Sequence, residues 1–408
     1  MSILNSLYVH LARLYRPVRN AVLEEKIKTV VGEVDSIILN ECNELTRKPI
    51  IIFQHSYYTR DGKDYISGGG ERYATDLSEI IYSNGFLPVL VQLGDEKANK
   101  CWVNTRGKLL VVGLNVEPPL YSVVINRLST PMLAIYSGFV NFGEKLLHPN
   151  IMISHGVTWD NPAIDVNVDL LKTIFEDVDE VVSVDTNTIS WLRATYAKSL
   201  SETKKKMTYI PNYTDLKAYF PDESKKKDGV IKVIFPRRCS PERGFWLIAD
   251  VLPEIMDKYS NVEFDFVGFV HTDDIGKKIE ELLTKYPNRV HHLFVDADDM
   301  YKVYQNADIT LIPTLYCEGT SLSCIEAMAC GNVVIATNIG GLPNLIINGF
   351  NGMLIDPSRE GLLNALDEVI ANNEYMHAMS ENALNVVKVF GKDRWIEEWD
   401  RIIKNRVN

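Results

Sequence analysis

Two glutamates eight residues apart, Glu318 and Glu326, are the side chains of this sequence best placed to do chemistry. They lie in the stretch Leu311–Gly331, LIPTLYCEGTSLSCIEAMACG, where an apolar strand-like run gives way to a short loop holding Gly319 and then to a helical pattern opening near Ser321. Leu322, Ile325, Met328 and Ala329 recur at the spacing of one helix face. A strand, a glycine turn and a helix N-terminus together hold phosphate, because unpaired N–H groups and the positive end of the helix dipole point at the ligand. Gly319, Thr320, Ser321 and Leu322 supply that main chain. Glu326 sits about a turn and a half inside the helix and, leaning back toward its N-terminus, reaches toward the same crevice as Glu318. One carboxylate beside a transferred group, one beside a ribose and a helix end for a diphosphate outline a nucleotide-sugar site.

Cations and a histidine stand at comparable places elsewhere. The strand pattern Val230–Pro236 ends in Arg237-Arg238, and Cys239-Ser240-Pro241-Glu242-Arg243-Gly244 follows. The strand pattern Ile151–Ser154 runs into His155-Gly156-Val157-Thr158-Trp159-Asp160. A residue just past a strand's C-terminal end lies where open α/β sheets bind ligands. Gly68-Gly69-Gly70 separates the strand Ile50–Phe53 from a helical pattern over Glu71–Ser83, and glycines there allow close backbone approach to a ligand. Asp296-Ala297-Asp298 matches a D-x-D metal motif in letters only. It precedes the helical stretch Met300–Gln305 and reads as capping acids, so no metal site is expected.

With 408 residues, 46% of them apolar and 24% charged, the chain can build two core-bearing domains. A net charge of −11 argues against a general nucleic-acid binder. No apolar run approaches the roughly 20 residues of a membrane span, and residues 1–30 lack a signal peptide's uninterrupted apolar core. The six cysteines show no C-x-x-C spacing and suit free thiols in a reducing compartment, so a cytoplasmic location is expected, at the inner face of a membrane if the N-terminus binds one. In residues 1–30, Ile3, Leu4, Leu7, Tyr8, Leu11, Leu14, Tyr15 and Val18 make an amphipathic pattern with Arg13, Arg16 and Arg19 mainly off the apolar face. It reads either as an interfacial helix on an anionic membrane or as a helix packed on the first domain or on a partner chain. Pro17 is expected to interrupt it.

The elements that must position these residues alternate from Pro49 onward. Strands are expected at Ile50–Phe53, Pro88–Leu93, Leu109–Val112, Ser122–Asn126, Ile151–Ser154, Val181–Val184 and Met207–Ile210. A second series follows at Val230–Pro236, Val262–Val267, His291–Val295, Ile309–Pro313, Val333–Ala336 and Met353–Ile355. Helices are expected between them, including one beginning over Leu342–Ile347 and a final one from Phe390. Strand–helix alternation of this kind means an α/β protein with parallel sheets.

The run E-G-T-S-L-S-C-I-E followed by A-M-A-C-G resembles the E-x7-E signature of family 4 glycosyltransferases. The resemblance covers roughly residues 50–403 and implies the GT-B fold: two facing Rossmann-like domains and a C-terminal helix crossing back to the first. On that pattern residues 1–48 are an N-terminal helical segment, 49–215 the acceptor-side domain, 216–388 the nucleotide-sugar domain and 389–408 the returning helix. Pro211-Asn212-Tyr213-Thr214-Asp215 is similar to the family's landmark at the interdomain crossing, and Gly69-Gly70-Glu71 to its first glycine loop. Arg238 matches the first of two cations that hold the donor diphosphate, with Arg237 as the alternative, and Arg243 stands where the family has lysine. His155 resembles the histidine that contacts the donor sugar. Asn344 departs from the family, which often has glutamate there. The resemblance implies a retaining, metal-independent transfer with no cofactor, from a nucleoside-diphosphate sugar to a glycan or lipid-linked acceptor. Surface polysaccharide biosynthesis is the expected setting. Acceptor contacts are expected from loops 57–67, 127–145 and 157–165. An epimerase or phosphorylase on the same fold, and a non-catalytic member of an assembly that binds nucleotide sugar, are the competing readings.

Overall fold

In the computed structural model, which describes residues 3–138, 142–143, 145–157, 162, 168–196, 206–227, 229–316 and 318–407, the contacts divide into two compact units. The first holds the described residues before 154, then 168–181 and 399 onward; the second holds those of 154–167 and 182–398. The family pattern divides the chain at 215 and returns 389–408 to the first domain; by contacts, 182–215 groups with the later half of the chain, and the described residues from 399 onward group with the first unit.

Helix α1 (Ile3–Leu45) runs without a break through Pro17. Proline deletes one N–H from the ladder, and a helix of 43 residues continues on both sides of that single loss. Ile27, Val30, Val34 and Ile38 form its buried stripe, and the buried Asp35 carboxylate accepts hydrogen bonds from Ser129 N–H, Ser129 Oγ and Thr130 Oγ1. From residue 27 on, therefore, α1 is packed on the first unit; side chains 1–20 lie outside the described ones. Among the described residues no helix is long and apolar enough to cross a membrane.

Strands β1 (Pro49–Phe53), β2 (Leu87–Leu93), β3 (Trp102–Arg106), β4 (Leu109–Leu114), β5 (Leu133–Ser137), β6 (Asn150–Ser154), β7 (Glu180–Ser183) and β8 (Lys206–Tyr209) form one sheet in the order β3-β4-β2-β1-β5-β6-β7-β8. Its central pairs are parallel, and β3 joins β4 antiparallel at the edge. Helix α2 (Gly69–Ser83) follows β1 and buries Tyr73, Ala74, Leu77, Ile80 and Ile81. The expected strand over Ser122–Asn126 is instead helix α3 (Pro118–Ile125). Two prolines at its start preset the backbone for a first helical turn. Tyr121, Val124 and Ile125 then share a buried face that a short apolar run does not distinguish from a strand. The Tyr121 hydroxyl is shared between the carbonyls of Gln54 and Val91, so α3 is tied to the ends of β1 and β2. Helix α4 (Val168–Asp177) falls in the first unit and α5 (Thr186–Thr195) in the second, α5 capped by Asp185, which accepts from Thr188 N–H.

A pH-dependent contact lies at the start of β6. His148 bridges Asp177 and Asp179, at 3.3 and 3.0 Å, and Asp179 also accepts from Asn150 N–H. Burial alone would lower the imidazole's pKa, but the two carboxylates outweigh it and raise it. A raised pKa contributes stability that is complete below the unfolded value of about 6.5 and is lost as pH rises through the folded one. The melting temperature of the wild type should therefore fall more between pH 6 and 8 than that of His148→Gln. Parallel curves for the two proteins overturn the assignment.

The second unit is built on β9 (Ile231–Phe235), β10 (Val262–Val267), β11 (Val290–Leu293), β12 (Ile309–Ile312), β13 (Val333–Thr337) and β14 (Met353–Ile355). They lie in the order β11-β10-β9-β12-β13-β14, all parallel. Helices α6 (Phe245–Lys258), α7 (Asp273–Lys285), α8 (Met300–Gln305), α9 (Leu322–Ala329), α10 (Arg359–Ala371), α11 (Asn373–Val386) and α12 (Lys392–Val407) cover it. One face packs Phe235, Phe245, Phe264 and Phe266; the other packs Ile234, Ile312, Ile325, Met328 and Tyr304. Burial on both faces explains why β12 and β13 read as short runs without a charged residue. Strand order reverses between β9 and β12, so the C-terminal ends of those two strands open the crevice where such sheets take ligands.

Leu342–Ile347 forms only a 3-10 turn over Leu342–Asn344. The Asn351 side chain accepts from Ile347 N–H and donates to the Leu345 carbonyl, satisfying the groups a longer helix would have paired. Asp296–Asp298 leads through a 3-10 turn into α8 without side-chain capping bonds, and Asp299 pairs with Lys302 at 2.6 Å. Helix α12 begins in the second unit, where Trp395 stacks on Tyr213 at 4.1 Å between ring centroids. Its last residues belong to the first unit: Trp399 Nε1 donates to Tyr73 at 2.7 Å, and Arg406 pairs with the buried Glu180 at 2.9 Å.

Candidate active site

Glu318 is the centre of a closed cluster at the crevice between β9 and β12. It follows β12 after Pro313 and Thr314, and only 6% of its surface is exposed. Arg237, one residue past Pro236 at the end of β9, donates through Nη1 to Oε2 at 2.8 Å and through Nη2 to Oε1 at 3.3 Å. Arg243, closing the 3-10 turn Pro241–Arg243, donates to the same Oε2 at 2.7 Å. Burial alone would push the Glu318 carboxyl up, but the Arg237 and Arg243 charges and the bonds from Arg237 and Thr314 outweigh it and hold the pKa below the ordinary range. Arg243 in turn has its pKa lowered, first by the Arg237 charge and then by burial. Two guanidinium groups beside one carboxylate leave the cluster with net positive charge.

Arg238 stands outside this cluster. Its side chain is exposed, whereas Arg237 turns inward. Of the two cations the motif match offers, Arg237 is the one paired with Glu318, and Arg238 is left exposed beside that cluster. Successive residues leaving a strand point to opposite faces, and only Arg237 leaves β9 on the side of Glu318.

The loop after Glu318 is shaped by contacts within the second unit. The Thr320 hydroxyl donates to the Val184 carbonyl at 2.7 Å and accepts from Asn212 N–H, while Asn212 Nδ2 donates to the Thr320 carbonyl. The Glu318 carbonyl accepts from Gly341 N–H at 2.9 Å. Ser321 precedes α9 with no side-chain cap, so the first N–H groups of that helix are not taken by its own N-cap. Asn344, the uncharged departure from the family pattern, accepts from Thr186 N–H and donates to Thr186 Oγ1 at 2.6 Å. It is a fastener between two loops.

Space around this loop is tight. A Cβ on Gly319 would lie 2.6 Å from the His155 carbonyl, and one on Gly340, whose φ is 56°, would lie 2.0 Å from the Glu318 carbonyl. Gly340→Ala must therefore displace the main chain of the glutamate it supports. An expected destabilisation of about 1–3 kcal/mol, with a larger loss of turnover than of stability, can be checked by denaturant unfolding and rate measurement on one preparation.

His155 follows β6 and brings its carbonyl against Gly319 in the same unit. Burial pushes its imidazole down to about 4, so the ring is neutral near pH 7 and acts as a hydrogen-bonding group. Glu326 lies in α9 with 5% of its surface exposed, and the Tyr304 hydroxyl donates to it. Burial pushes the Tyr304 phenol well above its usual range, so the proton stays on Tyr304. Glu318, Gly319, Thr320, Ser321, Leu322, Glu326, Arg237, Arg243 and His155 thus share the second unit, whereas Gly69 and Gly70 open α2 in the first. Of the three loops expected to meet an acceptor, 57–67 is described, while 139–141, 144, 158–161 and 163–167 lie outside the described residues.

Two side chains of the site carry no motif signal: Thr314 and Tyr304 hold Glu318 and Glu326, while Asn212, which lies in the Pro211–Asp215 landmark, holds the loop between them. The trace they leave in sequence is a polar residue next to a buried strand end, as in Ile312-Pro313-Thr314.

Residues 217–386 match the family described as Glycosyl transferases group 1. Over 399 residues the chain is 24% identical to one chain of the phosphatidylinositol N-acetylglucosaminyltransferase of Homo sapiens, a match covering 93% of this chain and 74% of that protein. Over 173 residues it is 26% identical to the lipopolysaccharide 1,2-N-acetylglucosaminetransferase of Salmonella typhimurium, covering 40% of this chain and 44% of that protein. Among solved structures, Anabaena HepE in complex with UDP-glucose superposes with a TM-score of 0.64 at 16% identity, covering 88% of this chain and 99% of that one. That likeness is one of fold: two α/β units with parallel sheets, the GT-B architecture.

Proposed function

From a chain that has the GT-B fold, and whose residues 217–386 belong to glycosyl transferases group 1, we propose a retaining transferase that moves a sugar from a nucleoside diphosphate to a glycan or lipid-linked hydroxyl. The observation that carries this reading is the pair of arginines converging on Glu318 at the strand-order reversal. In the reaction the bond from the anomeric carbon to the β-phosphate oxygen breaks, and the acceptor oxygen bonds to that carbon on the same face. The acceptor's proton passes to the departing diphosphate. Arg243, Arg237 and the N–H groups at the start of α9 stabilise the negative charge that develops on the leaving group. Glu318 stabilises positive charge at the sugar, and Glu326 accepts from ribose hydroxyls. His155, neutral, hydrogen-bonds the sugar. With that much fixed positive charge the transfer proceeds without a divalent ion, and it should survive chelator.

UDP-N-acetylglucosamine is the first donor to try, because both curated relatives are named for N-acetylglucosamine transfer and a neighbour of the same fold was solved with UDP-glucose. A phosphatidylinositol-like or lipopolysaccharide-like acceptor fits the same names. The test is thermal unfolding against UDP-, GDP-, ADP- and CMP-linked sugars in the presence of chelator. A donor at a hundred times its dissociation constant adds about 2.7 kcal/mol. One donor should stabilise the wild type and not Glu326→Gln, and the anomeric proton of its product should show retention by NMR. No stabilisation by any donor overturns the proposal in favour of a non-catalytic member of an assembly.

A further inference from the structure

Glu318 is held unevenly, and the unevenness has a source outside every motif. Among the described residues, its Oε2 accepts from Arg237, Arg243 and Thr314, at 2.8, 2.7 and 3.0 Å, whereas Oε1 accepts the long 3.3 Å bond from Arg237. Thr314 is fully buried, and its hydroxyl has two partners: it accepts from Arg237 Nη1 at 2.9 Å and donates to Oε2. Its own main chain is pinned on both sides. Thr337 Oγ1 donates to the Thr314 carbonyl at 2.5 Å, and the next N–H, of Leu315, donates to the Glu242 carbonyl. A hydroxyl on a fixed backbone, bonded to both members of an ion pair, sets the direction of each relative to the other.

We infer that Thr314 is a positioning residue of the transfer reaction: it locks Oε2 of Glu318 into the arginine clamp and so makes Oε1 the oxygen presented to the donor sugar. The inference rests on the glycosyltransferase reading for the word sugar, but the lock itself is a property of this cluster. Without the hydroxyl, Arg237 loses an acceptor and the carboxylate a donor while both stay buried. The carboxylate then keeps its bonds to the two guanidinium groups but loses the one partner fixed to the main chain just past β12, so its plane can tilt within the clamp. Electrostatic stabilisation at an anomeric carbon depends on where the oxygen sits when charge develops, and a misplacement near 1 Å costs on the order of a hundredfold in rate.

The test compares Thr314→Val, which keeps shape and drops the hydroxyl, with Thr314→Ser, which keeps the hydroxyl. Hydrolysis of UDP-N-acetylglucosamine to UDP and free sugar, with water as acceptor, supplies kcat and donor KM. Thr314→Val should lose about 10- to 100-fold in kcat with KM within about threefold, a pattern of interactions made in the transition state. Thr314→Ser should restore most of the loss. A second readout needs no turnover: the carboxyl 13C signal of Glu318, assigned with Glu318→Gln, reports its titration midpoint. The groups facing that carboxyl are Arg237 and Arg243, with Thr314 and the Cys324 thiol beside them. Its midpoint should rise in Thr314→Val and stay at the wild-type value in Thr314→Ser. Unchanged kcat in Thr314→Val, or equal shifts of the carboxyl midpoint in both variants, overturns the positioning role. Wild-type turnover retained by Glu318→Gln overturns the functional reading instead, leaving the carboxyl titration to decide the lock.

Discussion

Arg237→Ala should be among the most damaging single changes in this chain, while Arg238→Ala beside it is close to silent. The Arg237 and Glu318 side chains are 10% and 8% exposed, so removing the arginine leaves a buried carboxylate with Arg243 and Thr314 as its remaining partners. Breaking a buried pair from one side costs about 3–5 kcal/mol, and the remaining arginine places the expected loss at the lower end. Loss of a charge-stabilising donor at the reacting centre costs a further hundredfold or more in rate, roughly. Arg238 is exposed and should change stability by no more than about 0.5 kcal/mol. The sign with pH follows from the lowered Glu318 pKa. A depressed carboxyl contributes stability that is present above its unfolded value and lost as pH falls through the folded one. Arg237→Ala removes part of that depression, so acid unfolding should begin at higher pH than in the wild type. Equal unfolding curves for the two arginine variants would show that the inward position of Arg237 carries no energy.

The second large effect lies at the end of α12. Trp399 is fully buried in the first unit and donates to the Tyr73 hydroxyl at 2.7 Å. Trp399→Ala removes the largest of the fully buried side chains and leaves Tyr73 without that donor. Large-to-small changes of this kind cost about 3–5 kcal/mol. The last turns of α12 should then fray, and protease cleavage near residue 400 should appear before any loss of the second unit's structure. Trp399→Phe, which keeps most of the volume, should lose much less. Cleavage at the same rate in wild type and Trp399→Ala would refute the idea that this one side chain anchors the helix end.

Much of the second unit was legible in the sequence because its strands are buried on both faces and its loops carry charge at strand ends. The apolar stretches around Ile234 and Leu311 and the alternating Phe264 and Phe266 mark strands of the parallel sheet. Glu318, the arginines and the turn at Gly319 stood out because charged residues and glycine are unusual beside such runs. What was not legible depended on direction or on partners distant in sequence. Arg237 and Arg238 are equivalent in composition, and only the pleat at the end of β9 decides which one enters the cluster. The run from Leu120 to Ile125 is apolar enough for a strand, and it took the bonds of Tyr121 to Gln54 and Val91 to fix it as helix. Pro17 reads as a break only when local propensity is taken without the length of the helix around it. Thr314 was invisible because a threonine after a strand is commonplace; Asn212 stood in the Pro211–Asp215 landmark, but its grip on Thr320 was not readable there.

The bonds that shape the loop after Glu318 also bear on how portable this catalytic machinery is. Residues 217–386 contain both glutamates and all three arginines and match a family on their own. Yet Val184 and Asn212, which grip Thr320, and His155, which abuts Gly319, lie earlier in the chain. A fragment cut to the family boundary would keep both glutamates and the three arginines but lose His155 and the mould that shapes the turn between them. Swapping that segment between relatives is therefore not an exchange of self-sufficient cassettes: the transplanted turn takes its form from the host.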